Sequence, residues 1–289
     1  MLLLPNIDRL VDPLEAVKAI EKAYFAKSQF LPRQSITIGE TWFAPMVGYM
    51  EGAGLAVKLV GIYPKARPTV KALVVVLDHE YGAPRALING TQLTAWRTAA
   101  ASGVAALAMK ASPSAVGVIG AGLQAEYHIR VFKALFPGAR FKIFDVVREK
   151  AEELAKRHGA EAVSLEDVQF SDLIIAATTS RSPVVYGSRL RSGAVVISIG
   201  APRPVRELDD DVKRRAGCML VDNPHAHEES DDVGAVWTYV GDFLKGASCQ
   251  FGEVKVYKSV GNPLFDVAMA GYVLEKAKEA GAGVEVAWE

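Results

Sequence analysis

The rhythm of apolar positions changes once along this chain, near residue 115. Before that point, strand-length apolar runs dominate: QSITIGE (34–40), FAPMVGYM (43–50), LAVKLVGIY (55–63) and TVKALVVVLD (69–78). Such runs, bounded by turn residues, predict strands, and DHEYGAP turns the chain before a further strand at RALIN. Upstream, Asp12-Pro13 followed by Glu15 combines a capping residue, a first-turn proline and an acid. That start predicts a helix running to about Phe30. A second helix, over 91–109, closes the region.

From 115 onward, continuous apolar segments alternate with helical ones. Strands read at AVGVIG, RFKIFD, AEAV, DLIIAAT, AVVISIG and CMLVD, and between them lie runs such as REKAEELAKRHG, which ends on a glycine. Apolar strands joined by crossovers predict a parallel sheet covered on both faces. After GDFLKG, a terminal helix is expected over 266–280. The fold class is therefore α/β: a Rossmann-type doubly wound parallel sheet inserted in a second, α+β domain. The expected boundaries are 1–110 with 246–289 for the outer domain and 111–245 for the dinucleotide-binding one.

Composition narrows the partners. The 289 residues carry a formal net charge of zero, which removes the electrostatic case for nucleic acid or an anionic membrane as partner. No apolar run is long enough to span a bilayer, and MLLLPNIDRL lacks a cleavage-like region. Cys218 and Cys249 do not make a disulfide framework and are expected to be inert small hydrophobes, with a reducing cytoplasm as the compartment.

The candidate chemistry starts at GVIGAGLQAEYHIRVF (117–132). Gly120-x-Gly122-x-x-Ala125 follows a strand and opens a helix, the context in which this spacing binds a dinucleotide. Gly120 permits the turn, Gly122 lets backbone approach a pyrophosphate, and the helix N-terminus stabilises its charge. FKIFD then ends at Asp145, placed to accept from the adenosine ribose hydroxyls. Asp145 would repel the extra phosphate of NADP, so NAD is the expected cofactor, with Arg148 close enough in sequence to soften that repulsion. Ligands of open parallel sheets sit beyond the strands' carboxyl ends. This puts Thr178 and Thr179, then Ser198, Ile199, Gly200 and Ala201, beside the cofactor.

Two charges stand out in the other domain. Lys58 lies in LAVKLVG on one strand face with Ala56 and Val60, where a buried lysine would be costly unless paired or neutral. It is either an acid–base group in a cleft or a lysine snorkelling from an edge strand. Arg97 is the only charged residue between Gly90 and Met109, in a helix rich in small residues. It needs an anion: a substrate carboxylate, a cofactor phosphate or a structural partner. Arg33, in LPRQS, is a weaker candidate for a second carboxylate contact. His225-Ala-His227-Glu228 lacks further ligands in a recognisable spacing, so it reads as a solvated loop and no metal site is expected.

Together, GLAVKLVGIYP, GAPRALINGTQLTAWRTAAASG, VGVIGAGLQA, SIGAPRPVRELDDDV, GDFLKG and VYKSVGNPLFDVAMA resemble the ornithine cyclodeaminase/mu-crystallin family, in its order and over most of the chain from about Leu31. That family includes archaeal alanine dehydrogenase, ketimine reductases and ornithine cyclodeaminase. The resemblance implies an NAD(P)-dependent oxidoreductase acting on the C–N bond of a small amino or imino acid, with an ammonia lyase or a low-turnover dinucleotide-binding protein as alternatives. It implies a homodimer built through the outer domain, which also holds the substrate. Lys58 matches the family's proton donor or acceptor, Arg97 a contact to substrate carboxylate or cofactor, with Thr98 beside it, and Arg33 another carboxylate contact. Leu123 and Gln124 match the pyrophosphate loop, and Ser259 a position near the nicotinamide. The family's cyclodeaminases resemble one another in an Asp just after the GA of this segment. Here Pro202-Arg203-Pro204-Val205-Arg206 follows instead, offering cations where the amine of ornithine would dock.

Overall fold

The structure, a computed structural model, describes residues 1–288 and divides into two units, Met1–Ala100 with the segment from Asn262 on, and Ala101–Gly261. The first is built on a mixed sheet. Its strands are β1 (Leu2–Leu4), β2 (Ser28–Phe30), β3 (Ile36–Ile38), β4 (Thr41–Met50), β5 (Gly54–Ile62), β6 (Val70–Leu77), β7 (Pro84–Asn89) and β16 (Val284–Glu285). They run in the order β16-β1-β7-β6-β5-β4-β2, with β3 also paired to β4. Its helices are α1 (Pro13–Ala23), α2 (Gly90–Ala108), whose last turns pass into the second unit, and α9 (Pro263–Glu279).

Asp12 caps α1 as its sequence predicts, accepting from the amides of Leu14 and Glu15. The helix stops at Ala23 rather than near Phe30, because Ser28–Phe30 pairs with Gly48–Met50 of β4 and gains ladder hydrogen bonds there. Strand β5 lies between β4 and β6, with Lys58 opposite Met46 on one side and Val74 on the other. Ala56, Lys58 and Val60 form its buried face. Helix α9 lies close to this sheet: a Cβ at Gly271 would come within 2.8 Å of the Ala53 side chain, and one at Gly48 within 3.0 Å of Val267. That close approach brings the first turn of α9 down onto Lys58.

The second unit is a parallel sheet in the order β10-β9-β8-β11-β12-β15-β13-β14. Its strands are β8 (Ala115–Ile119), β9 (Arg140–Phe144), β10 (Glu161–Ala162), β11 (Leu173–Ala176), β12 (Val195–Ser198), β13 (Cys218–Val221), β14 (Val236–Tyr239) and β15 (Lys255–Lys258). Helices α3 (Leu123–Leu135), α4 (Arg148–His158), α5 (Leu165–Gln169), α6 (Asp210–Ala216), α7 (Ala226–Glu229) and α8 (Val240–Leu244) connect them. Every residue of β8, β11, β12 and β13 is buried, which is why these strands read as continuous apolar runs. The chain leaves this unit at Gly261, not near residue 246, because β15 pairs with both β12 and β13. Its lysines are held in place: Lys255 Nζ donates to the Met109 carbonyl at 2.7 Å, and Lys258 is wholly buried.

The cysteines correct another expectation. Cys218, opening β13, is disulfide-bonded to Cys249, so neither is an inert thiol, and the cysteine count gives no footing for a reducing compartment. The bridge closes a loop over a sequence separation of 31. Chain entropy assigns such a closure about 3–4 kcal/mol. At about 2–4 °C per kcal/mol for a domain of this size, reduction is expected to lower the melting midpoint by roughly 10 °C. Melting with and without dithiothreitol checks this, and the Cys218→Ala/Cys249→Ala variant should ignore the reductant.

Candidate active site

In the first unit, Lys58 on β5 and Arg97 on α2 converge on one carboxylate, Asp266, in the first turn of α9. Lys58 Nζ donates to Asp266 Oδ1 at 2.9 Å and lies 2.9 Å from Oδ2. Arg97 Nε donates to the same Oδ1 at 3.1 Å. All three are buried, at 1%, 5% and 2% exposure. Lys58 is therefore not a snorkelling edge residue; it sits in mid-sheet. Burial, and next the Arg97 guanidinium, lower its amine to about 7, against the pull of Asp266 and with a smaller push from Arg33. The amine can thus exchange a proton near neutrality. Arg33, between β2 and β3, lies over the Trp42 ring at 5.9 Å and belongs to this cationic neighbourhood. Thr98 Oγ1, one position on from Arg97, donates to the Thr94 carbonyl at 2.7 Å.

Asp266 was missed from the sequence, although its signal matches that of Arg97: it is the only charged residue between Lys258 and Glu275.

The second unit carries the glycine turn. Gly120 has φ +105°, and a Cβ there would lie 2.5 Å from the Ala177 carbonyl oxygen, so only glycine fits. Gly122 caps α3 without a side chain, and the space where its Cβ would point is open. Leu123 and Gln124 form the first turn of α3, and the buried Gln124 Oε1 has no hydrogen-bond partner. Asp145, just past β9, accepts from the Ala121 amide at 2.7 Å and the Val147 amide at 2.8 Å. An open cradle at a helix N-terminus, an orphaned acceptor and a carboxylate at the second strand's end fit a dinucleotide. The turn lies where chain order reverses, between β8 and β11. Arg148 is exposed and engages Glu152 at 2.7 Å.

The strand-end residues expected beside the cofactor are tied into a buried polar network. Glu207, fully buried, accepts from Thr178 N (2.6 Å) and Oγ1 (2.9 Å), Ser198 Oγ (2.8 Å) and Gly200 N (2.8 Å). Lys258 Nζ donates to Ser198 Oγ, the Gly200 carbonyl and Asp232. Asp232 in turn accepts from the amides of Glu207 and Leu208. Burial raises the Glu207 carboxyl above its ordinary range, with Lys258 the largest opposing influence. The polar groups of Thr178, Ser198 and Gly200 thus hold the loops at the ends of β11 and β12. Thr179 is exposed, Ala201 half-buried, and Ile199 donates its amide to the Ala176 carbonyl at 3.1 Å. Ser259 Oγ donates to Asp222 at 2.7 Å.

Arg203 and Arg206 do not offer free charge, contrary to the sequence expectation. Arg203 engages Asp231 at 2.7 Å and Arg206 engages Asp210 at 2.9 Å. His225 faces Glu228 and His227 stacks on Trp237. Among the described residues, no group of three or more His, Cys, Asp or Glu side chains gathers as a metal site, and no helix is long and apolar enough to cross a membrane.

The model of the ornithine cyclodeaminase/mu-crystallin family matches residues 7–281. The chain belongs to that family. Alanine dehydrogenase of Archaeoglobus fulgidus is 30% identical to it, over 97% of this chain and 96% of its own. The ketimine reductase mu-crystallin of Mus musculus is 32% identical, over 76% of this chain and 75% of its own. Among solved structures, Thermococcus litoralis Δ1-pyrroline-2-carboxylate reductase in complex with NADH and L-proline matches with a TM-score of 0.91 at 30% identity, covering 99% of this chain and 100% of that one.

Proposed function

We propose that this protein is an NAD(P)-dependent oxidoreductase acting on the C–N bond of a small amino or imino acid. The observation that carries this reading is the Lys58 amine, buried beside Arg97 and able to exchange a proton near pH 7. A nicotinamide dinucleotide held at the glycine turn would supply the hydride for an imine carbon. Arg97, with Arg33, would hold the substrate carboxylate, and Lys58 would give a proton to the substrate nitrogen. In the reverse direction Lys58 would take that proton back. Fixing the carboxylate places the reacting carbon, so much of the rate enhancement would come from orientation and charge complementarity.

Lys58, Arg97 and Arg33 outnumber Asp266, so the site favours an anionic substrate over one with a further cationic amine. No carboxylate stands between Pro202 and Arg206, and Glu207 is fully engaged, which disfavours ornithine. In the second unit, Asp145 supports NAD over NADP, since like charges at ~4 Å cost about 1–4 kcal/mol. A homodimer through the first unit is supported by the exposure of Leu31, Ile36 and Ile38.

The test is a screen for NADH and NADPH oxidation with pyrroline- and piperideine-2-carboxylate, and with pyruvate plus ammonia or methylamine. At least one imine should be reduced, with NADH preferred. Ornithine and NAD should give no proline at an ordinary enzymatic rate, on the order of 1 s⁻¹. Tight NADH binding with no turnover on any imine would leave a dinucleotide-dependent binding protein instead.

A further inference from the structure

Asp266 is held in a way that neither a packing role nor a simple ion pair requires. Its Oδ1 accepts from two cations on two different elements, Lys58 Nζ at 2.9 Å from β5 and Arg97 Nε at 3.1 Å from α2. It reaches them from the first turn of α9, next to the Asn262 cap, whose side chain accepts from the Leu264 amide. A carboxylate bonded to one buried cation would neutralise it. One shared by two fixes both side chains relative to each other and leaves the cluster net positive.

We propose that Asp266 is the positioning residue of this site, aligning the Lys58 amine for proton transfer and the Arg97 guanidinium for a substrate carboxylate. The inference rests on the imine-reducing role above. In reduction, the substrate carbon gains a hydride from NADH and its nitrogen gains a proton from the Lys58 ammonium. Amine and NAD⁺ result, and solvent reprotonates Lys58. Asp266 neither gives nor takes that proton. It acts through its charge and its two hydrogen bonds.

The charged groups facing Lys58 are Asp266 from α9, Arg97 from α2 and Arg33 from the segment between β2 and β3. Its neighbours on β4 and β6, Met46 and Val74, are uncharged. Asp266 is the one anion among them. Removing its charge leaves burial and two guanidinium groups acting on the amine in the same direction, so Lys58 loses its proton at lower pH.

Asp266→Asn keeps the shape and removes that charge. In a variant with wild-type circular dichroism, the alkaline limb of the reductive pH profile should move down by at least about one pH unit. Turnover at pH 7 should fall at least ~10-fold, and KM for the imino acid should rise as Arg97 loses its anchor. Asp266→Glu keeps the charge but displaces it, so it should return the limb toward its wild-type position while KM stays raised. A limb that does not move in Asp266→Asn overturns the inference. Should the asparagine variant not fold, Asp266→Glu decides, and a wild-type KM there overturns it equally. Carbon NMR of ε-labelled lysines, with the Lys58 signal assigned from Lys58→Arg, reads the same titration without turnover. A Lys58 midpoint that moves with Asp266→Asn in a protein reducing no imine would uphold the positioning role and reject the activity.

Discussion

Replacing Lys58 with alanine is expected to lower turnover by at least ~10²-fold, the usual scale for losing a positioned acid–base group, while NADH affinity stays nearly unchanged. Lys58 is the one amine held against both Asp266 and Arg97 in the buried face of β5. The pH dependence of the wild type gives the same claim a sign. The reductive reaction needs the ammonium, so its rate should fall as pH rises through about 7, the value to which burial and Arg97 bring this group. The oxidative reaction needs the free amine and should rise through the same value. An exposed lysine would put both limbs near 10 instead. Steady-state kinetics in both directions, from pH 5 to 10, separate the two cases. Turnover in Lys58→Ala equal to wild type would remove Lys58 from the chemistry.

The second large effect is expected at Lys258. This lysine is wholly buried and bonded to Ser198, Gly200 and Asp232, with Glu207 close by. Lys258→Met preserves volume but leaves two buried carboxylates without their cation. Breaking a buried pair in this way costs about 3–5 kcal/mol, which for a domain of this size is a melting midpoint roughly 10–15 °C lower. The loops at the ends of β11 and β12 hang on the same network, so NADH should bind more weakly in the folded variant. Adding Glu207→Gln to Lys258→Met should recover part of the loss, because one uncompensated charge goes with it. Scanning calorimetry of the single and double variants reads this directly. A single variant melting within about 2 °C of wild type would show that the network contributes little.

Much of this arrangement was legible in residue order because it depends on local physics. The placement of Gly120 and Gly122 in a turn between strand and helix, and of Asp145 past the next strand, could be read because these elements follow one another in sequence. The fully buried strands β8, β11, β12 and β13 were legible because a parallel sheet covered on both faces tolerates little but apolar side chains. Lys58 and Arg97 were visible as lone charges in apolar settings. Only the fold could say what those charges meet. Asp266 lies 208 positions from Lys58 and 169 from Arg97, and no periodicity links groups that far apart. The same holds for Cys218 with Cys249, and for Lys258, whose strand enters the sheet between two earlier ones. The sequence by itself determined which side chains could carry charge into the core and which turn could hold a dinucleotide. The tertiary structure alone decided their partners, because burial prices a charge by its nearest neighbours in space and not by those in the chain.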